Sequence, residues 1–303
     1  MYHGIINVYK EKGFTSHDVV ARLRGICKQK RIGHTGTLDP DAVGVLPVCL
    51  GSATRLCDML TEKDKEYVAV LRLGITTDTQ DLTGKALSQT EVFSDRQEAE
   101  RAILGFAGEQ LQIPPMYSAL KVNGRKLCDL ARQGKEVERA PRPVTIHRIE
   151  ILEENMPEFT IRVCCSKGTY IRTLCHDIGQ KLGCGAALAS LVRTRSGSFV
   201  IEEAYTLDQI QELADQGRLS EAVTAVEKMF ESLPAAAVKR EALKALQNGN
   251  QLKEAELVFQ KESGGPKPDC EVRLCDPDGK FYGIYRYDKE REIFRPVKMF
   301  FTE

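Results

Sequence analysis

The chain has 303 residues, 42% of them hydrophobic and 28% charged, with 43 basic residues balanced by 43 acidic ones. That length and apolar content allow a sizeable core and suggest two domains, or one large domain and a small one. The zero net charge excludes a uniformly basic nucleic-acid binder, and the longest uncharged run, residues 42–54, is too short to cross a bilayer.

Met1 to Tyr9 carries no basic stretch ahead of the apolar Ile5-Ile6-Asn7-Val8-Tyr9, so no signal peptide is expected and a cytoplasmic location is the default. The ten cysteines include no Cys-x-x-Cys pair, and the five histidines complete no zinc pattern with them. Buried free thiols are expected, and no metal. The charges are unevenly spread. Lys10 to Arg31 holds seven basic and two acidic residues, Lys121 to Arg148 eight and three, and Ile201 to Glu262 seven and twelve. Local patches rather than net charge steer a polyanion. For either basic run by itself, a solvated helix face is the favoured reading.

In chain order, Ile5 to Tyr9 predicts a strand. Ser16 is the expected cap of a helix whose Val19, Val20, Leu23, Ile26 and Cys27 share one face. Gly33 to Gly44 reads as a loop, Val45 to Leu50 as a buried strand, and Tyr67 to Leu73 as a strand ended by Gly74. Ser94 with Gln97 suggests a capping box opening a helix through Phe106. Val144 to Leu152 and Phe159 to Cys165 alternate as paired strands, and Thr169 to Leu182 and Leu207 to Gln216 follow a helical period. The elements lack a regular βαβ rhythm, which predicts an α+β architecture around a mixed, largely antiparallel sheet flanked by helices.

A boundary is expected near Ser232 to Ala237, dividing residues 1–232 from 235–303. The second unit opens with a helix at Lys239 to Gln247. It continues in short strands at Glu256 to Phe259, Glu271 to Cys275, Phe281 to Tyr287 and Ile293 to Met299. Asp276-Pro277-Asp278-Gly279 forms a hairpin turn and Gly264 to Pro268 a loop, so the whole suggests a small β-barrel.

The segment with chemical promise is Gly33-His34-Thr35-Gly36-Thr37-Leu38-Asp39-Pro40, followed by Gly44-Val45-Leu46-Pro47-Val48. Its glycines permit close backbone approach, and Pro40 fixes the chain directly after Asp39. A carboxylate beside an apolar strand is costly to bury without a cation. It suits a nucleophile or a base. For a bare Asp-Pro in a loop, a structural Asx turn would be the favoured reading.

The whole string resembles the motif of the bacterial tRNA pseudouridine synthase B (TruB) family. The likeness extends to Lys65-Glu66-Tyr67, Thr77-Asp78-Thr79-Gln80-Asp81, Ile113 to Lys121, Ser166-Lys167-Gly168-Thr169-Tyr170-Ile171-Arg172 and Leu191 to Phe199. Val192 departs from that family's frequent Leu-Arg-Arg, leaving one phosphate contact open. The tail from about residue 235 is similar to a PUA domain, an RNA-binding barrel.

The resemblance implies a pseudouridine synthase fold with a PUA-like barrel, isomerisation of uridine-55 in the TΨC arm of tRNA, no cofactor and no metal. The implied partner is the T stem-loop of tRNA, bound by a monomer away from any membrane. It implies Asp39 as nucleophile, attacking C1′ of the ribose or C6 of the base, and Arg172 as its counterion. Tyr67 would stack on the flipped base and handle a proton. Tyr170 and Leu191 would line the pocket, and His34 would occupy space near the extruded base. Lys10 would contact the active site or a phosphate. Taken without the likeness, these are an ordinary surface arginine, core tyrosines and leucine, and a loop histidine. The alternatives are a guide-RNA-dependent subunit and a non-catalytic tRNA-binding or folding protein. A folding role alongside catalysis is compatible with all the residues named.

Overall fold

The computed structural model describes residues 1–92, 95–259 and 269–300. The strands run β1 Gly4–Lys10, β2 Ile32–His34, β3 Val43–Leu50, β4 Lys65–Leu73, the hairpin β5 Ile75–Thr77 and β6 Ala86–Gln89, and β7 Gly108–Gln112. There follow the hairpin β8 Lys121–Val122 and β9 Arg125–Lys126, then β10 Arg142–Asn155, β11 Glu158–Cys165, β12 Ala186–Ser196 and β13 Phe199–Val200. Helices α1 Ser16–Ile26, α2 Cys57–Thr61, α3 Arg96–Leu104, α4 Leu127–Arg132, α5 Ile171–Lys181 and α6 Leu207–Asp215 lie between them.

The large sheet has the order β1-β3-β12-β4-β11-β10-β7, with β2 on β3 and β13 on β12. Every pairing is antiparallel except β3 with β12, so the sheet is mixed and largely antiparallel as expected. β3 shows why its sequence is apolar without alternation. Leu46, Val48 and Leu50 pack with α1 and α6, while Val45 and Cys49 join a second cluster on the other face. Along β4, Tyr67, Ala69, Leu71 and Leu73 alternate inward and meet Ile171, Leu174 and Ile178 of α5. Burying each large apolar side chain contributes about 1.5–3 kcal/mol.

Two caps differ from expectation. Thr15, not Ser16, caps α1: its hydroxyl accepts from Asp18 N, and the Asp18 carboxylate accepts from Thr15 N. Ser16 is the first helical residue. Its buried hydroxyl instead serves the loop at Leu38, accepting from Leu38 N at 2.9 Å. Ser94 lies outside the described residues; Asp95 caps α3, accepting from Glu98 N. The α3 helix ends at Leu104, and Gly105 caps it.

A second sheet, β14 Ala235–Val238, β15 Leu252–Lys253, β16 Leu257–Phe259, β17 Glu271–Cys275, β18 Phe281–Asp288 and β19 Ile293–Met299, has its own core around Val272, Leu274, Tyr285 and Phe294. Helix α7 covers only Leu243–Gln247, because a 3-10 turn occupies 240–242. Asp276 and Gly279 close the β17–β18 turn as expected, and the loop expected at 264–268 lies outside the described residues. Phe281, Ile284 and Phe300 pack against Ile5, Val45 and Phe230, so the two sheets share an apolar seam. All ten cysteines are free thiols. Among the described residues no helix is long and apolar enough to cross a membrane.

Candidate active site

Asp39 sits in a tight turn between β2 and β3, with Ala42 N donating to Asp39 O at 3.1 Å and Pro40 in the second turn position. Three anchors hold this loop. Thr35, fully buried, donates from its hydroxyl to Pro47 O at 3.2 Å. Ser16 holds Leu38, as above. Lys10, also without exposed surface, donates from Nζ to Pro40 O at 3.0 Å, Phe14 O at 2.7 Å and Glu11 O at 3.1 Å. Of the two contacts expected of Lys10, the active site or a phosphate, the structure shows its ammonium on carbonyls at the active-site loop. Burial pushes its pKa down to about 8.

Arg172 reaches Asp39 from the first turn of α5. Its Nε lies 3.0 Å from Asp39 Oδ2 and its Nη2 3.4 Å from Oδ1, a two-pronged contact. The same guanidinium donates to Thr79 O at 2.9 Å and Tyr117 O at 2.8 Å, and its Nη1 faces Asp81 Oδ2 at 3.5 Å. One buried cation thus fixes the positions of four separate groups. Burial holds the Asp39 carboxyl above its ordinary value; Arg172 opposes this, Asp81 adds to it, and Lys10 opposes it again.

Tyr67 on β4 is buried beside Leu38, Ala42 and Leu191 in one apolar cluster, and burial raises its phenol pKa against the pull of Arg193. Tyr170 precedes α5, its backbone clamped by Gln112, which accepts from Tyr170 N at 2.7 Å and donates to Tyr170 O at 3.0 Å. Burial raises its phenol pKa as well. His34, on β2, meets His17 edge-to-face at 5.5 Å between ring centroids, and its Nδ1 is buried without a hydrogen-bond partner. Burial lowers its pKa first, and His17 and Arg193 lower it further, so the ring is neutral near pH 7.

Residues 24–171 match the family described as TruB family pseudouridylate synthase (N terminal domain), and residues 172–231 match the tRNA pseudouridylate synthase B C-terminal domain. The chain belongs to the TruB family. It is a pseudouridine synthase, an isomerase. A tRNA pseudouridine synthase B of Lachnoclostridium phytofermentans is 53% identical over 98% of this chain and 99% of its own length. The enzyme of the same name from Staphylococcus aureus is 44% identical over 99% of this chain and 100% of its own. Two solved structures align over 99% of the chain with a TM-score of 0.72. One is an H/ACA RNP bound to a substrate RNA containing 2′-deoxyuridine, 28% identical, with 86% of that chain covered. The other is a Cbf5-Nop10-Gar1 complex, 30% identical, with 85% covered.

Within this TruB framework, two residues of the cluster had drawn no role from the sequence. Asp81 sits in the motif Thr77 to Asp81, yet only the fold brings it to Arg172. Its other carboxylate oxygen accepts from Thr79 Oγ1 at 2.7 Å and Thr83 N at 3.0 Å, which fixes its aim. Arg193 follows the departing Val192 and is 1% exposed. Lys12, Arg22, Arg24, Lys28, Lys30 and Arg31 of the first basic run are exposed, as are Lys121, Arg125, Lys126, Arg132, Lys135, Arg142 and Arg148 of the second.

Proposed function

We propose that this chain converts uridine-55 in the TΨC arm of tRNA to pseudouridine, with Asp39 attacking the flipped nucleotide. The observation that carries the reading is the two-pronged Arg172–Asp39 contact, on a loop whose Leu38 and Ala42 share an apolar cluster with Tyr67 and Leu191. The cation opposes the effect of partial burial and favours the ionised carboxylate, the form a nucleophile needs. The names of the most similar relatives support tRNA as the substrate. In the reaction the N1–C1′ bond breaks, a C5–C1′ bond forms, and the proton leaving C5 is matched by one gained at N1. No oxidant, reductant or cofactor enters the balance.

Tyr67 is the base platform and proton handler, Tyr170 and Leu191 line the pocket, and His34 fills space beside the extruded base. An uncharged ring can enter an unstacked helix without carrying a buried charge. The exposed cations of both basic runs track phosphates of the T stem-loop. The C-terminal unit that begins near residue 235 acts as a PUA-like domain on the same RNA. We place the enzyme in the cytoplasm as a monomer, where its substrate is found.

The test is incubation of the purified chain alone with an unmodified tRNA transcript, followed by mapping of pseudouridine. No product overturns the proposal, and product from Asp39→Ala removes the assigned nucleophile. Asp39→Asn should stop turnover and leave tRNA affinity intact, together with any tRNA-folding role. Binding should weaken steeply with salt.

A further inference from the structure

Among the described residues Arg193 has the largest of the fully buried side chains, and its hydrogen bonds go to backbone carbonyls. Among the described residues no carboxylate lies within ion-pairing distance of it, although such burial is costly. Its place in the sheet accounts for what it meets. β12 lies between β3 and β4, and in this register Arg193 stands opposite Tyr67 on one side and Gly44 on the other. Its Nε donates to Val45 O at 2.6 Å and its Nη2 to Gly36 O at 3.2 Å. These carbonyls lie on either side of Asp39 in the chain. Residues directly opposite each other on neighbouring strands project from the same face of the sheet, so the Arg193 and Tyr67 side chains lie side by side.

We infer that Arg193 is a positioning residue for this reaction, one that works by fixing the direction of the Tyr67 hydroxyl. The inference rests on the function proposed above. A guanidinium can only donate hydrogen bonds, so toward Arg193 the phenol oxygen can only accept. The phenol's own O–H is then turned away, toward the space where a base would stack. The cation also stabilises whatever negative charge the oxygen gathers while its proton is shared. Two backbone carbonyls alone would be served by a neutral donor; a full charge facing a phenol is what proton handling calls for. Among the described residues, the groups acting most on Tyr67 are Arg193 from β12, Cys165 from β11 and Asp39 from the loop, and Lys65, two places along β4, is held on the carbonyls of Thr61 and Lys63. Arg193 is the cation among the first three.

The experiment is a double-mutant cycle of Arg193→Met with Tyr67→Phe, read as single-turnover rates on an unmodified tRNA transcript. Arg193→Met should slow the step by about 10- to 100-fold, below the roughly 100- to 10,000-fold of general acid–base catalysis itself because Arg193 acts only through Tyr67, with transcript affinity changed less than about threefold. With Tyr67→Phe already present, it should cost less than about twofold further, because its target hydroxyl is gone. Equal losses on both backgrounds, or no loss, overturn the inference.

A second readout is the ionisation of Tyr67, taken as the ultraviolet difference between chains with and without its hydroxyl. The midpoint should move to higher pH in Arg193→Met, and an unmoved midpoint overturns the inference. If thermal melts show that Arg193→Met does not fold, Arg193→Lys enters the same cycle. One ammonium cannot reproduce the fork that meets two carbonyls and the phenol, so the same coupling is expected and additive losses are again fatal. Turnover by Asp39→Asn, or no product from the native chain, would instead defeat the proposed function and leave the Tyr67 titration to be judged separately.

Discussion

Arg172 Nε stands 3.0 Å from Asp39 Oδ2, yet the Arg172 side chain is 5% exposed and that of Asp39 44%. The cation is rooted in the fold and the carboxylate is offered outward. Asp39 gains a counterion without being sealed off, and Arg172 is held as well by the carbonyls of Thr79 and Tyr117.

Arg172→Lys keeps the charge but loses the fork. An ammonium cannot meet both Asp39 oxygens, Asp81 and two carbonyls. Misplacing a reacting group by about 1 Å can cost about 100-fold, and a single-turnover loss of that size is expected. A rate within twofold of native, in a variant with an unchanged melting temperature, would show that the fork is dispensable.

The acid limb of the pH–rate profile should lie above the range of an ordinary aspartate. Burial raises the Asp39 pKa, and the reaction needs the ionised form. Activity is therefore lost as pH falls through that raised value. Arg172 is the main influence opposing the rise, so Arg172→Met should carry the limb to still higher pH. A limb that stays put would separate Asp39 ionisation from the rate.

Gly44→Ala should destabilise the chain by roughly 3 kcal/mol or more, from left-handed strain plus overpacking. Gly44 has φ +105°, and an added Cβ would stand 2.3 Å from Arg193 O, backbone that cannot step aside. Gly13→Ala is the matched control: φ is +89° but nothing lies within 4 Å of its Cβ, so only the strain of about 1 kcal/mol remains. Denaturant melts showing equal losses would contradict the close-approach argument.

Lys10 should make stability rise with pH. Its folded pKa is about 8, against the ordinary 10.5. Between those values the unfolded chain holds a proton that the folded chain has released, so folding gains as pH increases. Because Lys10→Met lacks this titration, the native-minus-variant difference in unfolding free energy should rise from pH 8 to 10. A difference that does not change across that window would show that the ammonium is not desolvated in the fold.

Much of this protein is written in local pattern. The alternation at Phe159 to Cys165, the helical period after Tyr170 and the turn at Asp276 to Gly279 each depend on neighbours a few residues away, and they reappear in the structure. So does the Asp39 loop, because glycine and proline restrict the backbone where they stand. The tertiary structure decided which charges face water. Lys10 and Arg193 look in sequence like any other cation of a basic stretch, and both are buried on carbonyls of distant segments, Lys10 on Pro40 and Arg193 on Val45, 148 positions away. Asp81 likewise meets Arg172 only because the β5–β6 loop folds onto α5. A hydrogen bond between remote segments leaves no periodic trace in either one. The sequence therefore determined the elements and the reactive turn, and the packing of β12 between β3 and β4 decided what surrounds them.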